Sequence, residues 1–147
     1  NRKSTCCLGL LIMFKIYSTI EKNKLIASYI RFGEVSDHRN DLSPKEEYLQ
    51  ASARKVKNGT IVKAHKHLPV DRNSDITQEA WIIIKGSVLA RFYDLDDVYL
   101  QDLTLFKGDM VVFYRGGHSL RVLEEDTVFY EIKTGPYLGV ENDKENI

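Results

Sequence analysis

Apolar and polar residues alternate along most of the chain with a period near two, the pattern of strands that bury one face. Runs of this kind span Phe14 to Ile20, Tyr48 to Val56, Thr60 to His67 and Glu79 to Lys85. They continue through Ser87 to Tyr93, Val98 to Phe106, Asp109 to Tyr114, Leu120 to Leu123 and Thr127 to Lys133. Leu25 to Phe32 fits a strand or a helix equally well. The breaks carry turn chemistry: Asn58-Gly59 is a hairpin signal, Gly86 separates two apolar runs, and Asp94 to Asp97 is an acidic turn. Lys107-Gly108-Asp109, Arg115-Gly116-Gly117 and Glu124-Glu125-Asp126 separate the later runs. Residues 33–46, with Ser43-Pro44, and residues 68–77 read as polar loops. There is no internal repeat. Regular turn spacing without helical period predicts an all-β fold, an antiparallel β-sandwich closed into a barrel, with little helix.

Composition narrows the class. A chain of 147 residues has room for one domain with a real core. Lysine plus arginine number 21 and aspartate plus glutamate 21, so the net charge is zero. That balance argues against a nucleic-acid partner held by bulk electrostatics. No apolar run reaches the roughly 18 residues of a membrane span. Cys6 and Cys7 are adjacent and form neither a disulfide framework nor a zinc pattern, so a reducing, cytoplasmic setting is the default. Residues 1–12 differ from the rest: Arg2 and Lys3 precede an apolar run, Cys6 to Phe14, that Lys15 ends without a cleavage site. The expectation is that Met13 is the natural start, residues 1–12 a dispensable extension, and residues 13–147 a single domain. The strand from Phe14 to Ile20 is expected to pair across a two-fold axis in a homodimer. The tail ENDKENI is polar and reads as solvated.

Three of the four histidines fall among the candidate chemistry. His65 and His67 are two apart on a predicted strand and so share a face. Glu79 opens the next strand and His118 heads a later one. A barrel that brings the four together makes a site of three nitrogens and one oxygen, suited to one divalent ion of Fe, Mn, Ni, Cu or Zn. Trp81 shares a strand face with Glu79 and Ile83, as a wall for a sugar or base or as a core residue. Tyr48, Gln50, Ser52 and Arg54 line one face of their strand, giving polarity to a pocket or facing water. Arg115-Gly116-Gly117 is either an anion-binding turn or simply a turn. His38 lies in a polar loop.

The spacings resemble the two motifs of the cupin superfamily over roughly residues 47–135. The first appears as Gly59-TIVKA-His65-Lys66-His67, an 11-residue gap, then Glu79-AWIIIK-Gly86. The second appears as Gly108-DMVVF-Tyr114-Arg115-Gly116-Gly117-His118, with Tyr114 where proline is usual, one residue fewer before the histidine, and Val122 in place of asparagine. The ending Phe129 to Tyr137 resembles small cupins found among bacterial surface-polysaccharide genes. The resemblance implies a jelly-roll barrel, often dimeric, holding a metal through His65, His67, Glu79 and His118, with a small-molecule ligand, sugar-related compounds among the candidates. A second implication is a metal-free sugar-nucleotide isomerase or epimerase in which His65 or His67 moves a proton beside a keto-sugar carbonyl, with Tyr130 nearby. A third is a non-enzymatic binding cupin.

Overall fold

Residues 13–147 are described by the computed structural model, and the stretch read as an extension, including Cys6 and Cys7, lies outside them. The strands are β1 (Phe14–Tyr17), β2 (Leu25–Ile30), β3 (Asn40–Asp41), β4 (Ser52–Ala53) and β5 (Glu79–Lys85). They continue with β6 (Ser87–Tyr93), β7 (Tyr99–Phe106), β8 (Met110–Phe113), β9 (His118–Val122) and β10 (Val128–Lys133). A 3-10 turn at Phe32–Glu34 and a one-turn helix α1 (Val140–Asp143) complete the described elements. One sheet has the order β1-β2-β8-β5-β10 and a second the order β7-β6-β9, while β3 and β4 pair with each other. Every ladder is antiparallel. The expected all-β sandwich with little helix is therefore present. No helix among the described residues is long and apolar enough to cross a membrane.

Alternation along the strands builds two cores. Trp81 and Ile83 of β5, Val111 and Phe113 of β8, and Val88, Ala90 and Phe92 of β6 are buried between the two large sheets. The intervening Ala80 and Val112 point the other way, where they pack with Leu25, Ile30, Leu42 and Tyr114 beneath the segment carrying β3 and β4. Chain passage from the five-stranded sheet to the three-stranded one occurs at Gly86, whose φ is +75°. A β-carbon there would lie 2.3 Å from Thr127 Oγ1, so both backbone conformation and space call for glycine.

The sequence reading differs from the structure in three places. The sandwich is not closed into a barrel: among the described residues β10 pairs only with β5 and β9 only with β6, which leaves edges. Strands expected over Tyr48 to Val56 and Thr60 to His67 would have supplied closure, but only Ser52–Ala53 is a strand, and residues 54–77 are exposed throughout. Alternation in this stretch sets Lys63, His65 and His67 on one face and interrupts the other with Lys66, so neither face is apolar enough to stay buried against a sheet. Only the Asn58-Gly59 turn forms, with Thr60 N–H donating to Lys57 O. The first strand ends at Tyr17 because Ser18 and Thr19 turn the chain, the Ser18 hydroxyl accepting from the Ile20 and Glu21 amides.

Two polar nodes tie the layers. Under the second core, the Tyr114 and Ser28 hydroxyls lie 2.8 Å apart, and each is 3.0 Å from the Leu42 carbonyl oxygen. Removing the phenol oxygen in Tyr114→Phe deletes one buried hydrogen-bonding group and leaves the packing. It should lower unfolding free energy in urea by about 1 kcal/mol, against the ~3–5 kcal/mol of a large-to-small cavity. At the far end, buried Asp94 accepts from Thr19 N–H at 2.7 Å, Thr19 Oγ1 at 2.8 Å and Leu95 N–H at 2.8 Å. Burial pushes this carboxyl up, but hydrogen bonds from Ser18, Thr19 and Leu95 outweigh it and hold it far below the ordinary range. Its contribution is thus present above the unfolded carboxyl value near ~4 and is lost as pH falls below it. Asp94→Asn should be less stable than the parent at pH 7, and the gap should shrink between pH 5 and pH 3 in urea titrations.

Candidate functional site

Glu79 begins β5 directly opposite Phe113 of β8 and Lys133 of β10, so the three side chains share the inner face of the sheet. Trp81, two residues on, continues that face, and its indole N–H donates to Glu79 Oε1. Across the sandwich, His118 begins β9 opposite Phe92 of β6. Its position is set by the preceding turn, where Gly117 exchanges both backbone hydrogen bonds with Tyr93, at 2.8 and 3.2 Å. Gly116 has φ +73°, and a β-carbon on it would approach the Tyr93 carbonyl oxygen to 2.5 Å. Arg115 is engaged elsewhere, with Nη2 2.8 Å from both Glu47 oxygens. Arg115-Gly116-Gly117 therefore works as the turn that delivers His118.

The imidazole is held on two sides. It stacks on Phe113 at a centroid distance of 4.1 Å and 21°, and meets Trp81 edge-on at 5.3 Å and 79°. Trp81 in turn touches Phe113 and Phe129, at 4.6 and 5.7 Å. His118 Nε2 lies 3.6 Å from Glu79 Oε1, an electrostatic contact slightly longer than a hydrogen bond. The His118 side chain is 27% exposed and that of Glu79 15%, so the pair sits at the mouth of the aromatic core. Burial raises the Glu79 carboxyl, but His118, the Trp81 N–H and the Lys133 charge outweigh it, and the net shift is downward. An ionised carboxylate thus faces a ring nitrogen that is partly open to solvent, an arrangement able to accept and return a proton.

Of the four expected metal ligands, two come together. His65 and His67 lie on the exposed 54–77 segment, their rings 5.6 Å apart, and His65 Nδ1 is 2.8 Å from the Lys63 carbonyl oxygen. No group of three or more His, Cys, Asp or Glu side chains able to hold a metal ion forms among the described residues. His65 and His67 are therefore not gathered with Glu79 and His118 in this arrangement. The strand expected to carry them is absent, and same-face spacing positions two histidines beside a site only where the strand exists. Among the expected ligand-contact residues, Trp81 belongs to the site. Gln50 donates to the Pro44 and Glu47 carbonyls, in the segment carrying β3 and β4. Arg54 is exposed just beyond β4. Tyr130, 60% exposed, pairs with Ile82 and so faces away from the Trp81 row.

Lys133 and Phe113 escaped the sequence reading. Each is opposite Glu79 in the ladder, a relation visible only once the strand register is known. A surface recess of about 670 Å³ beside β1 and Tyr29 shares no residue with this site. Comparison of the chain with protein-family models, with curated proteins and with solved structures finds no match in any of the three.

Trp81 is the chain's one tryptophan, so its emission reports on the site alone. Because the His118 ring meets the indole edge-on at 5.3 Å, His118→Gln should change Trp81 emission at neutral pH, and His65→Ala with His67→Ala should leave it intact.

Proposed function

We propose that the chain is an acid–base binding site of the cupin-like kind, acting on a small keto compound of sugar-nucleotide chemistry without a metal. The observation that carries this is the His118 imidazole clamped between Phe113 and Trp81, with the Glu79 carboxylate 3.6 Å from Nε2. A fixed ring beside an ionised carboxylate suits proton transfer at a carbon next to a carbonyl. His118 takes the proton from that carbon, the C–H electron pair forms a carbon–carbon double bond, and the carbonyl π pair moves onto its oxygen to give an enolate. Return of that proton from the imidazolium restores the ketone, whereas a proton delivered by solvent to the opposite face, with the imidazolium proton passing to the solvent, gives the epimer. Glu79 stabilises the imidazolium formed in between. Compared with the sequence-based expectation, the histidine in this role is His118 rather than His65 or His67.

A second reading keeps the metal, and one distance favours it: 3.6 Å between His118 Nε2 and Glu79 Oε1 is near the separation of two donors on one ion. It requires the exposed 54–77 segment to fold over the site and bring His65 and His67 to the pair.

The deciding experiment incubates the protein with a nucleoside-diphosphate-linked keto-deoxysugar in deuterium oxide and follows exchange at the carbons flanking the carbonyl by proton NMR. The acid–base reading expects exchange that survives chelation, falls at least about 100-fold in His118→Asn and falls about 10-fold or more in Glu79→Gln. It fails if exchange is absent or indifferent to His118→Asn. Stoichiometric divalent metal on protein purified without chelator, lost in His65→Ala with His67→Ala, would establish the second reading instead.

A further inference from the structure

We propose that Thr77 and Lys133 form an oxyanion seat beside the Glu79–His118 pair, which the chain's own Asp143 fills and which a carboxylate or phosphate of the ligand takes by displacing it. Both Asp143 oxygens are engaged: Thr77 Oγ1 donates to Oδ1 at 3.0 Å and Lys133 Nζ to Oδ2 at 3.0 Å. One hydroxyl and one ammonium gripping the two oxygens of a single carboxylate is the donor set an incoming oxyanion needs. The seat is adjacent to the site by register. Lys133 stands directly opposite Glu79 in the β5–β10 ladder, and Thr77 lies two residues before Glu79. The ammonium also faces Glu131 Oε1 at 3.8 Å, beyond hydrogen-bond range, the Tyr137 ring at 4.8 Å, and the charge of Glu79. A carboxylate replacing Asp143 leaves this local charge balance unchanged, and a phosphate adds to the negative charge of Glu79 and Glu131.

The Asp143 side chain is 12% exposed, but the segment that carries it is lightly packed. No residue of α1 is buried, and Tyr137, Leu138 and Val140 are each more than half exposed. Few apolar contacts oppose release of the segment. Four residues after Asp143, the Ile147 side chain lies against Gly117, where a β-carbon would come within 2.0 Å of its Cδ1. The segment therefore runs from the Lys133 side of the pair to the backbone next to His118. An intramolecular carboxylate at the millimolar effective concentrations typical of short tethers competes with any free anion. The chain thus carries its own competitor for the ligand's acidic group.

The purpose of the seat rests on the acid–base reading of Glu79 and His118, but its existence is tested separately. Inorganic phosphate and malonate are titrated in parallel at constant ionic strength into the full-length protein, followed by backbone amide NMR shifts. Asp143→Ala should bind at least one of the two at least 10-fold more tightly than the parent, with the largest shifts around Thr77 and Lys133. The arm with the larger gain identifies the seat as one for phosphate or for carboxylate. Adding Lys133→Gln to Asp143→Ala should abolish the gain, and adding Thr77→Val, at an exposed position, should weaken it several-fold. Equal affinity of the parent and Asp143→Ala for both anions, or a gain that persists without Lys133, overturns the proposal. Adding His118→Asn to Asp143→Ala should leave anion affinity in place. Anion binding with no deuterium exchange would thus retain the seat and reject the acid–base reading, and exchange with no anion binding would do the reverse.

Discussion

The structure depends on β5 being a strand with two different buried faces. It lies between β8 and β10 in the five-stranded sheet, so its edges are hydrogen-bonded on both sides. One face sends Trp81 and Ile83 into the inter-sheet core, and the other sends Ala80 into the core under β3 and β4. A one-residue slip would exchange these sets and put a tryptophan where an alanine fits. Gln78, fully buried just ahead of the strand, anchors the same register: its amide nitrogen donates to Glu47 and its amide oxygen accepts from Leu49. Glu79 consequently has no freedom to face elsewhere. The charge at the site is a product of the packing of the strand that carries it.

That dependence explains what was legible in the sequence. From Glu79 to Lys133 most positions have a partner strand, and alternation recovers β5, β6, β7, β8 and β10 to within a residue or two. The strand positions of Glu79, Trp81 and His118 were legible for the same reason. Upstream of Glu79 the same local pattern has no partner. Ile61, Val62, Leu68 and Val70 alternate with or flank lysines and histidines, yet all are at least two-thirds or so exposed. Pairing is a property of two segments, and a single run of alternation cannot report whether the second exists. The histidine pair His65 and His67 was legible as chemistry but not as position.

A different kind of information was missing at Lys133. Nothing in the run Val128 to Lys133 marks this lysine as different from others in the chain. Its significance comes from the antiparallel register that sets it against Glu79 and from the return of the chain through α1, which brings Asp143 to it. Arg31 illustrates the structural version of the same arrangement. Its Nη1 donates to Asp109 at 2.6 Å, and that buried carboxylate also accepts from the Phe32 and Phe106 amides. There every partner is part of the β7–β8 turn and its neighbour, so the carboxylate cannot leave without loosening the turn. Asp143 has two donors, both side chains, and sits on an element with no buried residue.

The open edges of the sandwich give this contrast its meaning. Where β9 and β10 fail to close a barrel, the inner face is reachable from solvent: Leu120 and Val122 of β9 are 36% and 53% exposed, although they pair opposite the buried Ala90 and Val88. A closed barrel would have sealed Glu79 and His118 behind strand backbone. An open one exposes polar groups at the end of an aromatic core, where their electrostatics are stronger than in bulk water and a ligand can still reach them. Such a mouth also exposes apolar surface, which favours cover by whatever chain is close. The segment after β10 is the nearest available, and its acidic residue meets the one lysine facing inward there. Cover that is polar, short and poorly buried protects the edge while remaining displaceable, which a further strand in the ladder would not be.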